Sequence, residues 1–131
     1  MRPTAVALAT TLFFGTVAPA WVSAQGSIVG KYTGSIVQNF ATSGAVRAIG
    51  LQLVVDSAEG GVVKGTATIL ELNCAGDYPM EGKLDDGKLQ LRSTTKGGRA
   101  GDCWLRLALS VEGNKLNGTT GSGQQVQLSK R

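Results

Sequence analysis

The chain has 131 residues, with 13 Lys/Arg against 9 Asp/Glu and no histidine, for a net charge of +4. Without imidazole there is no Ser–His or Cys–His nucleophile pair and no histidine metal ligation. The charges alternate in sign and form no run, and aromatic residues make up 5% of the chain, which argues against a nucleic-acid partner.

The chain opens with MRPTAVALATTLFFGTVAPAWVSAQG. Arg2 gives a positive start, an apolar run broken only by Thr and Gly spans Ala5 to Ala18, and Val22 and Ala24 precede a cut. This pattern predicts a cleaved secretory signal peptide over residues 1–24, with a cut after Ala20 as the second choice. The run is short for a transmembrane span and no positive stop follows it. No cysteine lies at the cut, which argues against a lipid anchor. One domain, residues 25–131, remains, with 12 Lys/Arg once Arg2 is gone and 9 Asp/Glu. The expected location is secreted, periplasmic or extracellular. Cys74 and Cys103, the two cysteines, are expected to form one disulfide. Closing a loop of about 30 residues adds roughly 3–4 kcal/mol through chain entropy.

After Gln25 no apolar repeat at helical spacing is sustained. Short alternating runs divided by Gly, Asp, Asn and Ser predict strands over 28–38, 47–56, 62–72, 77–85, 88–95, 103–111, 115–120 and 124–130. In MEGKLDDGKLQLR a two-residue Asp86-Gly87 turn of type I′ opposes Leu84 to Leu89, Gly82 to Leu91, Glu81 to Arg92 and Asp85 to Lys88. In LALSVEGNKLNG a Gly113-Asn114 turn of the same kind opposes Val111 to Leu116, Leu109 to Gly118 and Glu112 to Lys115. Each hairpin has one polar and one apolar face. The triplets YTG, VKG, MEG and LNG put Gly34, Gly65, Gly82 and Gly118 in phase with an inward apolar residue, as a tightly curled sheet requires. The fold class is therefore all-β: a small eight-stranded antiparallel up-and-down (meander) β-barrel with one disulfide, the alternative being a two-sheet β-sandwich. Outward Glu81, Lys83, Gln90 and Arg92 argue against a membrane-inserted barrel.

In that topology the two ends differ. DSAEGG, DDG and EGN close one end, with Val55, Leu84, Leu89, Val111 and Leu116 forming a dry floor. QNFATSGAV, LNCAGDY, TTKGGRAGD and TTGSGQ sit at the other end, which therefore holds both cysteines on one rim. Tyr78, Ser93 and Thr95 are expected inward below this rim. Glu71 points inward if alternation continues from Val63, or outward if a bulge near Ile69 reverses the phase. Candidate ligand or partner contacts are Asn73, Asp77, Tyr78, Lys96, Arg99 and Asp102. Trp104, out of phase with Leu105, Leu107 and Leu109, is expected outside beside Arg106 as a partner anchor or a plain surface residue.

No CxxC, phosphate loop or dinucleotide motif occurs. Glu71, Asp77, Glu81 and Asp102 are the carboxylates available to a glycosidase, but Glu81 faces Arg92 and the others lie on turns, so no enzymatic activity, metal or cofactor is expected. The layout is similar to small secreted bacterial barrels such as the metalloprotease inhibitors and the avidins. The tryptophans through which avidins contact biotin have no counterpart here, so biotin binding is not carried over. The expected function is a secreted binding module that captures a small ligand or protein partner at the disulfide-tied end. The alternatives are an inhibitor of a protease or glycosidase acting through the same loops, and an envelope-associated structural or interaction protein using Trp104. The purified secreted protein is expected to begin at Gln25 and to hold no alkylatable thiol. Intact-mass measurement after alkylation checks both, and two modified cysteines would refute the disulfide.

Overall fold

The computed structural model of the protein describes residues 28–40 and 44–131. The expected signal peptide lies outside the described residues. Eight strands follow in order: β1 (Gly30–Phe40), β2 (Ala45–Glu59), β3 (Val62–Ile69), β4 (Gly76–Asp85), β5 (Lys88–Ser93), β6 (Arg106–Glu112), β7 (Lys115–Thr120) and β8 (Gln125–Lys130). Each pairs antiparallel with the next, and β1 pairs with β8 from Tyr32↔Lys130 to Val37↔Gln125. The sheet is a closed up-and-down barrel, not a sandwich.

Local pattern explains most of this. In β5, Lys88-Leu-Gln-Leu-Arg-Ser93 alternates exposed and buried at every step, the period of a half-buried strand. The Asp86-Gly87 turn has φ angles of 50° and 72°, as type I′ requires, and its register is the expected one. The second hairpin also has the expected register, but Gly113 alone takes positive φ, at 63°. That is a type II′ turn, which needs only its first central residue in the left-handed region.

The inward glycines have a steric reason. A Cβ built on Gly34, Gly65, Gly82 or Gly118 would lie 1.8, 2.0, 1.7 or 1.9 Å from a backbone oxygen of the neighbouring strand. The strands coil so strongly that the next backbone occupies the space of a side chain.

The floor is dry, as expected. Val55, Leu89 and Leu116 are buried, and Leu84 and Val111 pack half-buried against them. Ile28 is buried beneath this layer, and the Tyr32 hydroxyl donates to its carbonyl over 2.8 Å. The chain entering the barrel thus helps to close its floor. Each floor turn is tied to the next strand pair: Leu84 N–H donates to Gly61 O, Val111 N–H to Gly87 O and Lys130 N–H to Asn114 O.

Several boundaries differ from the sequence reading by one to three residues, β6 for example starting at Arg106 rather than at 103, and three of these shifts shape the two ends. β2 runs to Glu59 because the register shifts between Val55 and Ser57. Asp56 becomes the extra residue of a bulge, which restores Ala58 to the interior. At the opposite end, β1 and β2 remain paired out to Phe40↔Ala45, past the last β1–β8 and β2–β3 partners, so their hairpin projects above the rim. β3 ends at Ile69, and Leu70 turns outward over Gly50, whose Cβ would lie 2.7 Å from the leucine side chain.

Gly82→Ala is expected to cost about 3 kcal/mol or more, because backbone must move. Gly87→Ala meets no atom and is expected to cost only the positive-φ penalty, about 1 kcal/mol. Urea unfolding of the two variants checks the order; equal losses would refute the steric role.

Candidate functional site

The rim is built from the connections between β3 and β4 and between β5 and β6. Cys74 and Cys103 are joined by a disulfide, 29 residues apart in sequence and 5.7 Å between Cα atoms. Backbone hydrogen bonds fix the same loops. Gly97 and Cys103 exchange both backbone hydrogen bonds, at 2.8 and 2.9 Å. Arg99 N–H donates to Asn73 O at 2.8 Å, joining one loop to the other, and Ala75 N–H donates to Leu72 O at 3.2 Å. Leu72 itself has φ of 72°, which turns the chain sharply after β3.

Beneath these loops the mouth is filled. Tyr78 has no exposed surface, and its hydroxyl donates to Cys74 O. Gly97 lies flat on its ring, since a Cβ there would sit 2.6 Å from Cε2. A Cβ on Gly98 would strike Cys103 Sγ at 2.8 Å and Asn73 O at 2.9 Å. These two residues read as ordinary loop glycines in sequence; they are the contacts that let the loop lie over the barrel. Ser93 is buried and its Oγ accepts Leu105 N–H at 3.0 Å. Burial first, and then the Asp102 carboxylate, raise the Tyr78 phenol above its usual 10.0. Burial alone raises that of Tyr32.

The expected contacts divide accordingly. Asn73, Arg99 and Asp102 come together on the clamped rim with exposed side chains. Tyr78 belongs to the core rather than to an open pocket, because its hydroxyl is spent on the loop carbonyl and its ring is covered by Gly97. Asp77 lies on the outer wall, opposite Thr68, whose hydroxyl donates to its carboxylate at 2.7 Å. Thr95 is exposed, since β5 ends at Ser93 and alternation no longer applies. Lys96 stands beside the ring of Trp104, Nζ 5.8 Å from its centroid. Trp104 is outside, 59% exposed.

Glu71 follows neither expected course. The strand has ended, so no bulge is needed, and the carboxylate sits at the lip in an ion pair with Arg47 of β2. Arg47 and its partner Gln38 continue the inward phase of Ile49 and Ile36 above the core. That polar continuation was the available signal for the projecting hairpin. The expected opposite-charge couples, Glu81 with Arg92 and Asp85 with Lys88, are opposed in register. Among the described residues, however, the ion pair within 4.0 Å is Arg47–Glu71.

Among the described residues no three His, Cys, Asp or Glu side chains group to hold a metal. No described helix is long and apolar enough to cross a membrane. The disulfide is compatible with a location outside the cytoplasm. No protein-family model matches the chain, and no significant match was found among curated proteins or solved structures.

A raised phenol pKa means that the folded state holds its proton more tightly than the unfolded chain does. Stability is then full below about pH 10 and falls as pH rises through the folded value. Tyr78→Phe is expected to lose about 1 kcal/mol at neutral pH from the missing hydrogen bond. It is also expected to show a shallower loss of stability above pH 10, measured by urea unfolding from pH 7 to 11. Parallel curves for both proteins would refute the phenol's part.

Proposed function

We propose that the protein is a secreted, non-enzymatic binding module that takes a protein partner at its disulfide-tied rim. One observation carries this reading: the rim backbone is cross-linked by a disulfide and hydrogen bonds while Asn73, Arg99 and Asp102 project from it exposed. Loops already held in one conformation lose little entropy on binding. Tyr78 fills the mouth, which favours a partner seated on the outside of the lip over a small ligand inside the barrel. The signal-like pattern expected over residues 1–24 and the disulfide support a compartment outside the cytoplasm.

Inhibition of a protease or glycosidase is the second reading. It is favoured by the same pinned Gly97–Cys103 turn, together with the projecting β1–β2 hairpin. A turn pinned in this way suits insertion into a cleft without being deformed there.

The native protein and an Asn73→Ala, Arg99→Ala, Asp102→Ala variant, immobilised alike, would be exposed to envelope extract and culture medium. Retained proteins would be identified by mass spectrometry. At least one protein is expected to be enriched tenfold or more on the native form. If that protein is a hydrolase, loss of its activity at equimolar addition supports the inhibitor reading. Identical retention by both forms removes the rim from the function.

A further inference from the structure

The outer wall carries a cationic cleft that the rim does not use. Arg92 on β5 and Arg106 on β6 stand directly opposite each other in the ladder, and both are exposed. Opposed residues of an antiparallel pair have Cβ atoms about 5 Å apart, and like charges there destabilise the sheet. Glu81 faces Arg92 from the other side, but no described carboxylate closes on either guanidinium to within 4.0 Å.

Two clefts, both open to solvent, share this couple. One, of about 720 Å³, runs past Arg92, Arg106, Glu81, Lys83 and Gln90 over the small side chain of Ala108. The other, of about 600 Å³, continues from the two arginines to Trp104. Lys96 stands at the indole. The wall thus presents four cations against one carboxylate, with an aromatic ring at its rim end.

We propose that this wall binds an anionic polysaccharide, with an acid group of one sugar bridging Arg92 and Arg106 and a neighbouring ring lying against Trp104. Guanidinium groups take carboxylates through paired hydrogen bonds. The indole offers a broad apolar surface with little entropy to lose, which suits the CH face of a pyranose. Two open clefts that meet at the same pair of arginines suit a linear chain. Single-stranded nucleic acid is the poorer fit, because it is held by several stacking rings in succession and Trp104 is the one aromatic side chain in these clefts. An acidic peptide matches the charge but has no regular planar face for the indole. The ligand also relieves the arginine repulsion, so a couple that weakens the free sheet has a use when the anion is bound.

The test titrates the purified protein with oligogalacturonate, using maltohexaose as the neutral control. Polyglutamate and single-stranded DNA of matched charge serve as the other anions. Tryptophan fluorescence and melting temperature are followed. Oligogalacturonate is expected to saturate the signal and raise the melting temperature, with little response to maltohexaose. Arg92→Gln and Arg106→Gln are each expected to weaken binding tenfold or more while melting, unliganded, no lower than the native protein. Trp104→Phe is expected to weaken binding and to remove the fluorescence response. Arg99→Ala, a rim variant, is expected to bind the sugar as the native protein does, which separates this cleft from the rim. Equal affinity for the charged and neutral sugars, or native affinity in both arginine variants, would overturn the proposal. Tighter binding of polyglutamate or DNA than of oligogalacturonate would overturn the saccharide assignment.

Discussion

An eight-stranded barrel this small closes only if its strands coil hard enough for one backbone to cross where a neighbour's side chain would stand. Gly34, Gly65, Gly82 and Gly118 meet that demand, each with a carbonyl oxygen of the adjacent strand within 2.0 Å of the absent Cβ. Without that approach the sheet opens, β1 no longer reaches β8, and the inner leucines face water. The narrow interior then has room for little but side chains. Leu51, Leu53, Val63, Ala67, Leu89 and Leu116 fill it with little or no exposed surface, at the close packing expected of a core.

Closure also makes the two ends different. Floor turns of two residues each accept one backbone bond from the next strand pair, and Ile28 slides beneath them. The rim connections are longer and cannot be sealed by aliphatic side chains alone. Tyr78 fills the opening, Gly97 lies on its ring, and the Cys74–Cys103 bond holds the two loops together above it. The disulfide therefore belongs to the packing of the mouth as much as to chain entropy. Its consequence is a rigid polar edge around a filled centre, which is why partner capture at the lip is the better reading than a ligand in the barrel.

Features set by near neighbours in the chain were legible. The Asp86-Gly87 and Gly113-Asn114 hairpins have the expected registers, and the placement of both cysteines on one rim followed from counting alternate connections. The exposed side of Trp104 followed from its phase against Leu105 and Leu107. Features set by contacts across the sheet were not legible. DSAEGG reads as a connection, yet Ser57, Ala58 and Glu59 extend β2 because β3 pairs with them past a bulge at Asp56. Tyr78 read as a pocket residue because nothing local announces that Gly97, nineteen positions later, will lie on its ring. The sequence leaves Glu71 open between two orientations for the same reason: its partner Arg47 comes from β2.

The cationic couple on the outer wall shows the same division. Alternation within β5 and β6 puts Arg92 and Arg106 outside, but a connection from Thr94 to Leu105 hides which residues will face each other. By itself the sequence determined strand number, hairpin register, the inner and outer faces and the end at which the cysteines meet, because each depends on a period of two and on turns of two residues. The tertiary structure decided what fills the mouth, which charges are paired, how far the β1–β2 hairpin projects and where the arginines meet. Those outcomes depend on the coiling of the closed sheet, which brings together residues that the chain alone holds far apart.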